Sequence, residues 1–190
     1  MVEAHSASEE VVFTAWYELG GASRIHIMVL VSGIGYSNLS DMSFGRVLLS
    51  DLAEMQWPDH VHVEDLNYGP IMIYQWFEES PVKYDKAVFV SAANRGRVPG
   101  TLDVYAWNGV LPDKAEIQAR IEEAITGVIS LENLLIVCKH FDVLPGNVII
   151  VEIEPQKEDW GLEFSPVVEA RRNEAIEIVR SLALRDELDA

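Results

Sequence analysis

Cysteine, positive charge and long apolar runs are all scarce in this chain. Its 190 residues hold one cysteine, Cys138. With no second thiol there can be no internal disulfide, and a reducing compartment is expected. The neighbours Leu134-Leu135-Ile136-Val137 mark that thiol as a buried helical position rather than a reactive one. Lys and Arg number 14 against 31 Asp and Glu, a formal charge of −17. That sign works against phosphate backbones and anionic membrane surfaces, so nucleic acid is not an expected partner. It suits solubility or a basic partner surface. No apolar stretch approaches the roughly 20 residues that span a bilayer, so membrane insertion is not expected. The opening Met1-Val2-Glu3-Ala4-His5 lacks the basic region of a signal peptide. A cytoplasmic protein is the expectation. Repeats and low-complexity tracts are missing as well. What remains is an ordinary globular composition, 49% hydrophobic, long enough for one domain with a substantial core.

Residues 1–23 read as an N-terminal extension, with the apolar stretch Val11-Val12-Phe13-Thr14-Ala15-Trp16-Tyr17 closed by Gly20-Gly21. Residues 24–190 read as an α/β domain. Buried or alternating strands are expected at Ile25–Val31, His60–Asp65, Lys86–Val90, Thr101–Trp107 and Asn147–Ile153. Helices are expected at Phe44–Met55, Pro70–Phe77, Lys114–Ile125 and Ser130–Phe141. A long closing helix is expected from Ser165-Pro166, with Ser as capping acceptor and Pro in the first helical position. Its apolar stripe is Val168, Ile176, Val179 and Leu182. Strands alternating with helices predict a three-layer sandwich: a doubly wound, mostly parallel five-stranded sheet with helices on both faces.

The densest local signal is Val29-Leu30-Val31-Ser32-Gly33-Ile34-Gly35-Tyr36, an apolar strand running into a glycine turn. Open α/β sheets place their sites at such strand ends. As a dinucleotide fingerprint it is incomplete. Asn38 stands where the third glycine belongs, and Glu64 and Asp65 come roughly thirty residues after the turn rather than about twenty. A nucleotide-binding module is therefore the weaker reading.

Taken with Asp41, Gly45, Ile153-Glu154-Pro155, Trp160-Gly161-Leu162 and Ser165-Pro166, the turn resembles that of the hydrogenase maturation endopeptidases. Those enzymes trim the C-terminus of the large subunit of nickel–iron hydrogenases. The resemblance spans roughly Ile25 to Leu184 and implies the same α/β fold and the same class of partner. It also implies a metal-recognising site, and here the chain departs. Tyr36 takes the place of the asparagine of the family turn, and Met42 that of the metal-carrying acid. Ser91 takes the place of an aspartate at the end of the third strand, and Thr126–Glu132 holds no histidine. A neutral thioether and a hydroxyl are poor substitutes for carboxylates on a divalent ion.

The resemblance thus implies a divergent, non-catalytic relative that binds a hydrogenase large subunit or its assembly intermediate. No cofactor of its own is expected, and any nickel belongs to the partner. The binding loop would comprise Gly33, Gly35, Tyr36, Asp41, Asp65 and Tyr68, with Phe44 as a further aromatic near that edge, whereas Trp76 and Phe77 are expected to pack in the core. The alternative is an active metal-dependent endopeptidase with Asp41 as its retained acid. A substitute metal set, His60, His62 and Glu64, shares one face of the second strand by alternation. The same pattern describes a solvent-facing polar side. Ser43 and Ser91 are candidate hydroxyl nucleophiles with no base placed beside them by sequence.

Overall fold

A computed structural model describes residues 27–125 and 130–185. The expected extension over residues 1–23 lies outside them, as do Ile25 and the 126–129 stretch. The sheet is built from β1 (Val29–Gly33), β2 (Val61–Val63), β3 (Lys86–Ala92), β4 (Leu102–Ala106) and β5 (Asn147–Ile153). Its order is β2-β1-β3-β5-β4, parallel except for β4, which runs antiparallel along β5. Among the described residues six α-helices accompany it: α1 (Phe44–Glu54), α2 (Pro70–Glu79), α3 (Lys114–Ile125), α4 (Leu131–His140), α5 (Pro166–Glu169) and α6 (Arg172–Ala183).

Alternation along the strands sorts the core into two layers, because successive side chains point to opposite faces. Val29, Val31, Val88, Val90, Val151 and Ile153 meet Phe44, Leu48 and Leu52 of α1 and Val168, Ala175, Val179 and Ala183 of α5 and α6. On the other face Leu30, Ala87, Phe89, Val148 and Ile150 meet Ile73 and Phe77 of α2 and Leu131, Leu134, Leu135 and Cys138 of α4. The central strands are therefore apolar on both sides, as parallel strands covered by helices require. Each such side chain removed from water contributes about 1.5–3 kcal/mol. Cys138 belongs to this packing, and burial pushes its thiol up to about 12, far from a reactive thiolate.

Several expected boundaries shift. β1 runs on to Gly33, because Ser32 and Gly33 still pair with Phe89 and Val90, and β3 extends to Ala92 to match β5. β2 shortens to three residues, which leaves His60 in the preceding turn. The expected long closing helix is two helices, broken between Glu169 and Arg172. Ser165 precedes the first of them, but its hydroxyl makes no capping bond and instead donates to Asp41 Oδ2 at 2.8 Å. Phe44, expected near a contact edge, is wholly buried against Phe164 in the core. Trp76 and Phe77 pack in the second layer. α6 is tied to α1 by a two-pronged Arg172–Asp51 pair, both bonds 2.8 Å. The buried Lys86 ammonium donates to the carbonyl of Leu182 at 2.8 Å, capping the end of α6 where the helix dipole favours a cation.

A candidate binding cleft at the strand ends

β1 and β3 are neighbours although β2 intervenes in sequence, so the sheet reverses its winding between them. Doubly wound sheets open a crevice at that point. A cleft of about 420 Å³ begins there and continues down the α4 side of β4 and β5. Gly35, Tyr36 and Met42 come from the turn after β1, and Ser91 and Asn94 from the end of β3. Tyr105 comes from β4 and Trp107 from just beyond its end, Glu152 from β5, and Ser130 and Glu132 from the start of α4.

The glycine turn owes its shape to contact rather than to unusual torsion angles. A Cβ on Gly33 would stand 1.9 Å from the Gly45 carbonyl oxygen, and one on Gly35 would stand 2.8 Å from that of Met42. The turn thus lies directly on the start of α1. Asn67 holds it from the other side. Its Nδ2 donates to the Gly33 carbonyl at 2.8 Å, and its Oδ1 accepts from the Gly35 amide at 3.0 Å. Asp65 braces Asn67 by accepting from its amide and its side chain, at 2.9 and 2.8 Å. The turn is not followed at once by a helix, as a nucleotide fingerprint requires. A 3-10 turn at Ser40–Ser43 intervenes, and α1 starts only at Phe44. With one glycine amide already committed to Asn67, the dinucleotide reading loses its phosphate cradle.

Asp41, the candidate catalytic acid, is fully buried and does not line the cleft. Its Oδ2 accepts from the amides of Gln156 and Lys157, both at 2.8 Å, and from Ser165 Oγ; its Oδ1 accepts from the Ser165 amide at 2.7 Å. Both oxygens are occupied in holding the return from β5. The acid is a structural latch, and this geometry gives no support to a catalytic role.

Met42 and Ser91 both line the cleft, as does Ser130 from the stretch that holds no histidine. They add a thioether and two hydroxyls to its lining. The cleft's buried carboxylate is Glu152, and it is already engaged. Arg95 donates Nε and Nη2 to it at 3.3 and 3.2 Å, Arg97 Nη2 at 3.0 Å and the Tyr105 hydroxyl at 3.1 Å. These bonds raise the pKa of the Arg95 guanidinium above its ordinary value. Burial, with Glu152 beside it, pushes the Tyr105 phenol up to about 12, so it remains a donor. Among the described residues no three His, Cys, Asp or Glu side chains gather as metal ligands. This donor set does not fit the family metal.

The substitute set does not assemble either. His62 Nδ1 lies 3.0 Å from the Tyr84 hydroxyl, His60 sits outside the strand, and Glu64 follows its end. Ser43 accepts from the Leu39 amide at 2.8 Å, which ties it to the loop. Tyr68 is half exposed and does not line the cleft. The polar members of the cleft that sequence reading missed are Arg95, Tyr105, Trp107 and Glu152, besides Asn67 beneath the turn. Glu152 carried one usable signal, a lone charge inside the apolar strand Val148-Ile149-Ile150-Val151.

No family model and no curated protein matches the chain. Solved structures do. It is 28% identical to the hydrogenase 2 maturation peptidase from Thaumarchaeota archaeon SCGC_AB-539-E09, with a TM-score of 0.57, covering 83% of this chain and 99% of that one. It is 21% identical to the hydrogenase maturating endopeptidase HybD from E. coli, with a TM-score of 0.61 over 82% and 91% of the two chains. It is 19% identical to the [NiFe] hydrogenase maturation protease HybD from Thermococcus kodakarensis, with a TM-score of 0.56 over 83% and 99%. The last two likenesses speak to fold alone. Among the described residues no helix is long and apolar enough to cross a membrane. Across more than four fifths of its length the chain has the fold of the hydrogenase maturation endopeptidases, which it resembles at low identity.

Proposed function

We propose that this chain assists the maturation or assembly of a nickel–iron hydrogenase by binding its large subunit or an assembly intermediate, without cutting it. One observation carries this reading. The cleft opens at the strand ends, where the family resemblance puts its site, and its lining includes Met42, Ser91 and Ser130. Among the described residues that line it, the buried carboxylate is Glu152, which is shared among Arg95, Arg97 and Tyr105. A surface of hydroxyls, a thioether and the rings of Tyr36, Tyr105 and Trp107 suits a polypeptide segment better than a hydrated metal ion. Nickel, where it enters, comes with the partner.

The likeness to the archaeal maturation peptidase favours a second reading, an active endopeptidase that draws missing groups from its substrate. Isolation of the tagged chain from its native cell tests the partner common to both readings. A hydrogenase large subunit recovered in stoichiometric amount supports it. Its absence from cells that are actively making hydrogenase rejects both.

A further inference from the structure

The segment between β5 and α5 is held on several sides. Asp41 takes the amides of Gln156, Lys157 and Ser165. Midway, Gly161 pairs with the loop before α1: its amide donates to the Asn38 carbonyl at 3.0 Å, and its carbonyl accepts from the Ser40 amide at 2.9 Å. A Cβ on Gly161 would stand 2.7 Å from Ser40 Oγ, so the backbone is pressed close at this point. The residues on either side of Gly161 are directed into solvent. Trp160 is 80% exposed and Leu162 is 79% exposed.

An apolar side chain exposed singly needs no explanation. A tryptophan and a leucine two residues apart, on a loop anchored by backbone pairing and a buried carboxylate, are a different case. Their position costs little ordering on association, and tryptophan is enriched among the residues that dominate binding energy. The loop's charge indicates what kind of surface it meets. Glu158, Asp159 and Glu163 are exposed around the pair, against Lys157 alone, in a chain whose formal charge is −17. The loop also adjoins the cleft, because Asn94 on the cleft wall donates to Glu158 Oε1.

We infer that Trp160 and Leu162 form a docking anchor that enters an apolar pocket on the partner protein, rimmed by lysine or arginine side chains. This rests on the proposed function, since it specifies how the hydrogenase subunit is gripped beside the cleft. The apolar pair supplies affinity, and the acids supply orientation and association rate.

The test uses the full chain and purified hydrogenase large-subunit precursor from the same cell, with affinity and association rate measured at two salt concentrations. Trp160→Ser combined with Leu162→Ser weakens binding at least 100-fold and leaves the thermal midpoint unchanged, because both side chains already face water. Asp159→Lys combined with Glu163→Lys slows association at least tenfold at low salt and probes the rim independently of the apolar pair. Val110→Ser, 70% exposed in a different loop, leaves affinity unchanged. Undiminished binding by the Trp160/Leu162 variant overturns the anchor while the proposed function stands. An unaltered association rate in the charge-reversal variant overturns the basic rim. A wild-type chain that does not bind the precursor overturns both the anchor and the function it rests on.

Discussion

Asp41 reaches across more than a hundred residues of sequence, and its two oxygens fix a loop that has no regular structure of its own. Four donors converge on it, three of them backbone amides. Asp41→Asn replaces one acceptor with a donor that faces other donors. Bonds to a charged partner and stranded buried amides each count for about 1.5–3 kcal/mol. The substitution is expected to lower stability by about 3 kcal/mol in urea unfolding, and proteolysis is expected to start within 156–165. Sequence marked Asp41 as the acid kept from the family pattern but not its role, since nothing local shows that an acid will meet amides 115 to 124 positions away. Asn67 was hidden for a related reason. An asparagine in a loop reads as a turn former, and only the folded chain reveals that it holds the glycine turn.

At the scale of elements, the strand–helix alternation was readable because buried parallel strands are continuous apolar runs. Boundaries were less so. β2 shortens because pairing with β1 covers only Val61, His62 and Val63, which leaves His60 in the turn before the strand. The closing helix breaks where Arg171 precedes α6, a point its uninterrupted apolar stripe could not reveal. The contact of β1 with α1 was written in glycine, as a need for closeness. Gly45 carries that need: a Cβ there would stand 2.3 Å from the carbonyl oxygens of both Ile34 and Val90. Gly45→Ala must push the helix off the sheet, and a loss of about 3 kcal/mol is expected. Gly146→Ala, where nothing lies within 4 Å, is expected to change stability by less than about 0.5 kcal/mol. Paired denaturation curves distinguish the two. Equal losses would mean that the turn does not depend on close backbone approach.

The whole molecule joins the architecture it shares with the maturation endopeptidases to a strand edge of different chemistry. The sheet, the switch-point cleft and the pinned loop after β5 combine in one acidic body, while the chemistry at the cleft consists of a thioether, hydroxyls and a neutralised carboxylate. Met42 and Ser91, singled out in sequence through the family resemblance, both line the cleft. The Glu152–Arg95–Arg97 network was not legible in sequence, because it joins β5 to the turn after β3 only through sheet pairing. Binding without cutting is read from the intact mass of the hydrogenase large subunit. The subunit is made with and without this chain, in a background lacking other maturation proteases, and weighed by mass spectrometry. The precursor is expected to keep its C-terminal extension in both preparations and to form a complex with the chain in the first. Loss of that extension only when this chain is present would contradict binding without cutting.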